Sequence, residues 1–102
     1  MKPSNDQEAI FLILKGLTDK GYVLTEVADD TWNPDERVTA ETVDEAVEAV
    51  TAVDEAVVYL GTPAGEGGWI FFVLGNDPEE VACNYTTNLD PDLSNITDPW
   101  WN

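Results

Sequence analysis

The stretch AVVYLGTPAGEGGWIFFVL, residues 56–74, decides the fold. Two runs of β-branched and aromatic residues flank the glycine-rich segment 61–68, a pattern typical of a β-hairpin with a flexible loop. The second run, from Trp69 to Leu74, is apolar at every position, which indicates a central strand covered on both faces. We therefore expect this hairpin to form the middle of a small sheet.

Upstream of the hairpin, residues 5–20 have apolar side chains at helical spacing. Ser4 and Gln7 match a capping box at the start of this segment, and Gly21 is a typical left-handed residue at its end. Residues 22–27 are then rich in β-formers. The sequence predicts a first helix followed by a strand.

A second helix is predicted to start at another capping box, formed by Thr42 and Glu45. Its apolar positions recur with a period of 3.6 residues. These positions are Val43, Ala46, Val47, Val50 and Val53. Because β-branched valines are mediocre helix formers, packing must hold this helix together. The opposite side of this helix presents Glu41, Asp44, Glu45 and Glu48.

Asp77-Pro78-Glu79-Glu80 combines a cap, a proline and an acid in the order of a helix start. Apolar residues between Val81 and Leu89 extend this pattern into a predicted third helix, and residues 90–102 form a proline-bounded tail. We expect Trp100 and Trp101 to fold back over the open face of the sheet, although two exposed tryptophans would also make an efficient interface anchor.

The predicted order is α-β-α-β-β-α, an α+β fold in which about three helices pack on an antiparallel three-stranded sheet. At 102 residues the chain is expected to be a single acidic domain, 1–102, with the tail attached.

Charge is the unusual feature of the composition. Twenty-one acidic residues face four basic ones, a net charge of −17. Residues 26–55 hold eleven of the acids and only Arg37 among the bases, a net charge of −10. The middle of the chain is therefore the acidic pole.

Catalytic chemistry is not indicated. The chain has no histidine, which removes the commonest general base and metal ligand. Its one cysteine, Cys83, lies in the predicted third helix beside acids and is expected to be a buried structural thiol. We expect no enzyme activity, no catalytic or metal-binding residues and no cofactor.

The candidate site is instead a protein-binding surface in the acidic pole. On a helix, carboxylates one turn apart lie about 5–6 Å from each other, comparable with phosphates spaced by ~3.4 Å along each nucleic-acid strand. The predicted contact residues are Asp29, Asp30, Asp35, Glu36, Glu41, Asp44, Glu45 and Glu48. The expected partner is a basic nucleic-acid-handling protein or complex, and direct binding to nucleic acid is not expected.

The run from Gly75 to Val81, continued by Tyr85 to Leu89, resembles small phage or prophage proteins of unassigned role, over roughly residues 69–90. In size and acidity the chain also resembles, as a class, the small acidic proteins that phages and mobile elements use against CRISPR and restriction systems. This resemblance implies a phage-type inhibitor that acts in the host cytoplasm, and it assigns no site residues.

Two other hypotheses stay open. The acidity can be an adaptation to a salt-loaded cytoplasm, where charge maintains solubility without a specific partner. Alternatively, the chain is a non-enzymatic interaction or assembly module that binds through Trp32, Trp100, Trp101 or the sheet. No apolar run approaches the ~20 residues of a membrane span, and a cytoplasmic location is expected.

Overall fold

The computed structural model describes residues 3–28, 37–75 and 77–101, without the side chains of Glu79 and Trp101. Its helices and strands are α1 (Asp6–Asp19), β1 (Val23–Ala28), β2 (Arg37–Thr39), α2 (Val43–Thr51), β3 (Glu55–Gly61), β4 (Gly67–Val73), β5 (Ala82–Tyr85) and α3 (Asp92–Thr97). Short 3-10 turns lie at Pro78–Glu80, Thr87–Leu89 and Asp98–Trp101.

Within the described ranges, the sheet has five antiparallel strands in the order β2-β1-β3-β4-β5. The α+β class and the β3–β4 hairpin are confirmed, with Val58 opposite Ile70 and Val57 opposite Phe71. The prediction of three strands is wrong, because β2 and β5 pair with the outer edges of β1 and β4. The middle strand is β3, and β4 lies beside it.

All three helices contribute buried side chains to one core on one face of the sheet. Alternation along the strands directs Val58, Leu60, Ile70 and Phe72 to this face. Trp69 and Phe71 point to the opposite face and are only half-buried. The expectation that this strand is covered on both faces is therefore not met.

The helix α1 begins one residue later than the capping box predicts. Asn5, rather than Ser4, is the N-cap, and its side chain accepts a hydrogen bond from the backbone N–H of Glu8 at 2.8 Å. Gly21 follows the helix with a φ of +102°, the left-handed conformation expected there. The apolar stripe of α1 is fully buried, at Ala9, Ile10, Ile13, Leu14 and Leu17.

The predicted third helix is wrong. Its start is a single 3-10 turn, Pro78–Glu80, after which the chain extends into β5. Pairing with the free edge of a sheet satisfies backbone groups that a short, marginal helix would leave to water. The four-residue strand β5 pairs in this way with β4. Cys83 consequently lies exposed on an edge strand, which corrects the expectation of a buried thiol.

The C-terminal tail folds back, but it packs on α1. It contains the short helix α3, whose Ile96 side chain lies close against Gly16 of α1. Trp100 is 4% exposed and belongs to the core. The tail therefore completes the helical layer and leaves the opposite face of the sheet to other residues.

Close packing under β4 yields a stability prediction at Gly68. A Cβ atom there would lie 3.0 Å from Thr86 Oγ1 and 3.1 Å from Leu89 Cδ2. We expect Gly68→Ala to lower the free energy of unfolding by about 1–3 kcal/mol, as overpacking does. The matched control is Gly67→Ala, since a Cβ at Gly67 has no atom within 4 Å. Equal stability of the two variants in urea titrations would contradict this packing.

A second prediction concerns alkaline stability. The hydroxyl of Tyr22 donates a hydrogen bond to Asp92 Oδ2 at 2.9 Å. Burial, and then the hydrogen bond and negative charge of Asp92, raise the pKa of Tyr22 to about 12 from 10.0. A raised folded-state pKa means that this stabilisation is complete below pH ~10 and is lost as the pH rises through ~12.

We therefore expect Tyr22→Phe to flatten the decline in unfolding free energy between pH ~10 and ~12. Denaturant titrations across this range measure the effect, with Tyr59→Phe on the opposite sheet face as the control. A Tyr22→Phe variant with the wild-type pH slope would contradict the assignment.

Candidate protein-binding surface

Helix α2 is held rigidly on the sheet. Ala46, Val47 and Val50 are buried on its inner side. At its start, Thr42 Oγ1 accepts a hydrogen bond from the backbone N–H of Glu45 at 3.2 Å, and Glu45 Oε1 accepts one from the backbone N–H of Thr42 at 3.2 Å. The predicted capping box is confirmed, so the outer side of α2 has a defined orientation.

Four exposed acids, which we call the acidic surface, lie on α2 or just before it: Glu41, Asp44, Glu45 and Glu48. Glu41 was expected on the helix but precedes its N-cap, Thr42. Within the described ranges, the carboxylates of Glu41, Asp44 and Glu48 make no ion pair and no hydrogen bond. The described ion pairs lie elsewhere, at Lys15–Asp19, Lys20–Asp92 and Arg37–Glu26. Negative charge on α2 is therefore left to solvent or to a partner.

Glu45 differs from its neighbours, because its carboxylate also serves the fold. Its Oε1 atom accepts two hydrogen bonds from Thr42, one from the backbone N–H and one from the hydroxyl at 3.1 Å. Asp44 and Glu48 make no such contact in the described part of the chain and stand one turn apart, about 6 Å along the helix axis. Neither carboxylate is therefore held by an ion pair or a hydrogen bond within the described ranges.

The other half of the predicted contact set, Asp29, Asp30, Asp35 and Glu36, lies outside the described residues, as does Trp32. Of the eight predicted residues, the structure therefore brings together the four of the acidic surface.

Two grooves flank α2, and sequence reasoning missed both. The first, about 560 Å³, lies between α1 and α2 and is mostly polar apart from Phe11 and Val47. The second, about 430 Å³, lies between α2 and the β1–β2 edge of the sheet. Its lining is mostly aliphatic: Val27, Val38, Thr39, Glu45, Glu48, Ala49, Ala52 and Val53.

Exposed apolar side chains mark both grooves. Phe11 is 38% exposed beside the first and Val38 is 58% exposed beside the second. Phe11 lies off the buried stripe of α1, which is a signal the sequence carries. Val38 had no comparable signal, because β2 is only three residues long.

The opposite face of the sheet is a different kind of surface. Tyr59 and Trp69 pair across β3 and β4, and Arg37 stacks over the Tyr59 ring at 4.3 Å. A shallow groove of about 620 Å³ lies along this face, next to the paired Gly61 and Gly67. This face is aromatic, whereas the surface around α2 is acidic and aliphatic.

Among the described residues, no group of three or more Cys, Asp or Glu side chains is arranged to hold a metal ion. Within the same ranges, no helix has the length and apolar character needed to cross a membrane.

Comparison of the chain with protein-family models, curated proteins and solved structures finds no match.

The difference between the capping residues of α2 and its other acids gives a testable prediction. We expect Thr42→Ala to lower the free energy of unfolding by about 1 kcal/mol, because it removes the N-cap. Glu48→Gln should change it by less than about 0.5 kcal/mol, because that side chain is exposed and makes no structural contact among the described residues. Thermal unfolding measures both, and a larger loss for Glu48→Gln would assign that residue to the fold.

Proposed function

We propose that this protein is a small acidic inhibitor of phage type, without enzymatic activity, that acts in the cytoplasm. It binds a basic nucleic-acid-handling protein or complex, and its carboxylates occupy the positions of phosphates. The observation that carries the proposal is a rigid helix whose outer acids, Asp44 and Glu48, have no basic neighbour within ion-pair distance among the described residues.

The placement of the basic residues supports this proposal. The three basic residues that the structure describes, Lys15, Lys20 and Arg37, each lie in an ion pair away from α2, so none of them neutralises the acidic surface. Such a surface accelerates association with a basic groove and makes it strongly dependent on salt. Like charges at i and i+4 destabilise a helix by a few tenths of a kcal/mol, and the buried valines of α2 offset that cost.

The test is affinity capture from a bacterial lysate at about 0.15 M and then 0.5 M salt, with the retained proteins identified by mass spectrometry. We expect a basic nucleic-acid-handling complex at the lower salt, displaced by added DNA or RNA. Asp44→Asn combined with Glu48→Gln should weaken binding to that complex at least about tenfold, as loss of close charge pairs does.

The matched control changes the charge equally at a distant site. Asp19→Asn and Glu66→Gln remove two exposed negative charges outside α2, at the end of α1 and in the β3–β4 loop. Because Asp19 is paired with Lys15, thermal unfolding first checks that this variant is folded. This variant should retain binding. Equal loss in both variants would show a dependence on net charge alone, and the assignment to α2 would then be wrong.

An interaction module that binds through the aromatic face is the second candidate, and the pairing of Tyr59 with Trp69 favours it. Trp100 is not available as its anchor, since that side chain is buried in the core. A captured partner that persists at about 0.5 M salt and is lost with Trp69→Ser would support this candidate.

The salt-adaptation hypothesis is tested by the salt dependence of folding, without a capture experiment. A domain whose charge serves only solubility in a salt-loaded cytoplasm should need molar salt to fold. The inhibitor proposal expects cooperative thermal unfolding at about 0.15 M salt, which circular dichroism measures directly.

A further inference from the structure

The groove between α2 and the edge of the sheet combines an apolar floor with an acidic rim. Val27, Ala49, Ala52 and Val53 contribute aliphatic surface, and Val38 adds a side chain that is 58% exposed. Glu45 and Glu48 line the same groove from α2. Among the described residues, the large apolar side chains that are more than a third exposed are Phe11, Val23 and Val38.

The exposure of Val38 is unusual for its position. It stands on β2, the edge strand, opposite Val27 of β1, so it points to the helical face of the sheet. Its side chain is nevertheless more than half exposed, and Ala52 and Val53, which follow α2, line the same groove. An edge strand that keeps an exposed valine beside a helix offers a ready contact for another apolar side chain.

We propose that this groove docks a basic amphipathic segment of the target protein. An aliphatic side chain of that segment packs on Val38 and Val53, and neighbouring Lys or Arg residues pair with Glu48 and, at the rim, with Glu45. The inference deepens the proposed function and rests on it, because it names the chemistry that the partner presents to α2.

Charge complementarity indicates which kind of segment binds in this groove. An acidic or neutral apolar segment would bring no counterion to Glu48, whose carboxylate has no described partner, and like charges across an interface cost binding. A polycation without apolar side chains would leave Val38 and Val53 exposed to water. A segment that alternates basic and aliphatic side chains satisfies both requirements, as amphipathic helices do in apolar grooves.

The probe is a synthetic peptide of about 15 residues with Lys and Leu at helical spacing, titrated into the labelled protein and followed by NMR. The control peptide has the same number of lysines and serine in place of leucine. We expect the first peptide to shift the amide signals of Val38, Ala49, Ala52 and Val53. We expect the control peptide to bind at least about tenfold more weakly at 0.15 M salt, because it has no apolar face.

Two lysine substitutions distinguish an effect of the groove on peptide binding from an effect of net charge. Val38→Lys places a cation in the groove and should weaken peptide binding at least about tenfold. Val23→Lys makes the same charge change at a valine that is 62% exposed on the opposite sheet face, and should have little effect. Lysine is well tolerated on edge strands, so Val38→Lys is expected to fold. Val38→Thr is a second variant of nearly the same shape, to be used if Val38→Lys does not fold.

These experiments distinguish failure of the groove proposal from failure of the proposed function. If capture of the target depends on Asp44 and Glu48 but is unchanged by Val38→Lys, the inhibitor proposal stands and the groove assignment is wrong. Peptide shifts that map to the α1–α2 groove or the aromatic face, or equal effects of Val38→Lys and Val23→Lys, would also overturn it. Specific peptide binding at Val38 without a captured nucleic-acid-handling partner would support the groove and contradict the function.

Discussion

Packing of all three helices on one face of the sheet is the constraint on which the rest of the structure depends. The core-facing residues of β3 and β4, such as Val58 and Phe72, are fully buried beneath α1, α2 and α3. Each helix therefore has one buried side and one side in water. For α2 the outer side is the acidic one, so the same packing that stabilises the helix also presents its carboxylates.

The acidity of this chain is compatible with a stable fold because its charges lie outside the core. Among the described residues, the buried set contains no charged side chain. Repulsion between exposed carboxylates acts across solvent, where it is weak and screened by salt. Burial of large aliphatic side chains contributes about 1.5–3 kcal/mol each, so the apolar interior outweighs the repulsion on the surface.

The acids of α2 do not share one role. Glu45 joins the capping box with Thr42, whereas the side chains of Asp44 and Glu48 make no ion pair or hydrogen bond within the described structure. We therefore expect the loss of charge at Asp44 or Glu48 to leave the fold intact, so that the proposed binding and the stability can be separated by mutation. The grooves beside α2 add shape to the charge, since exposed Phe11 and Val38 lie on either side of it.

The sequence by itself determined α1, α2 and the β3–β4 hairpin, because caps, helical periodicity and glycine-rich turns are local signals. It also determined that Asp44, Glu45 and Glu48 share the outer side of α2, since the face of a helix follows from its periodicity, whereas Glu41 precedes the N-cap. Only the tertiary structure decided β2 and β5: three- and four-residue segments become strands because the edges of β1 and β4 offer hydrogen-bond partners. The grooves beside α2 likewise depend on neighbours distant in the chain, and no local pattern encodes the space between a helix and a strand.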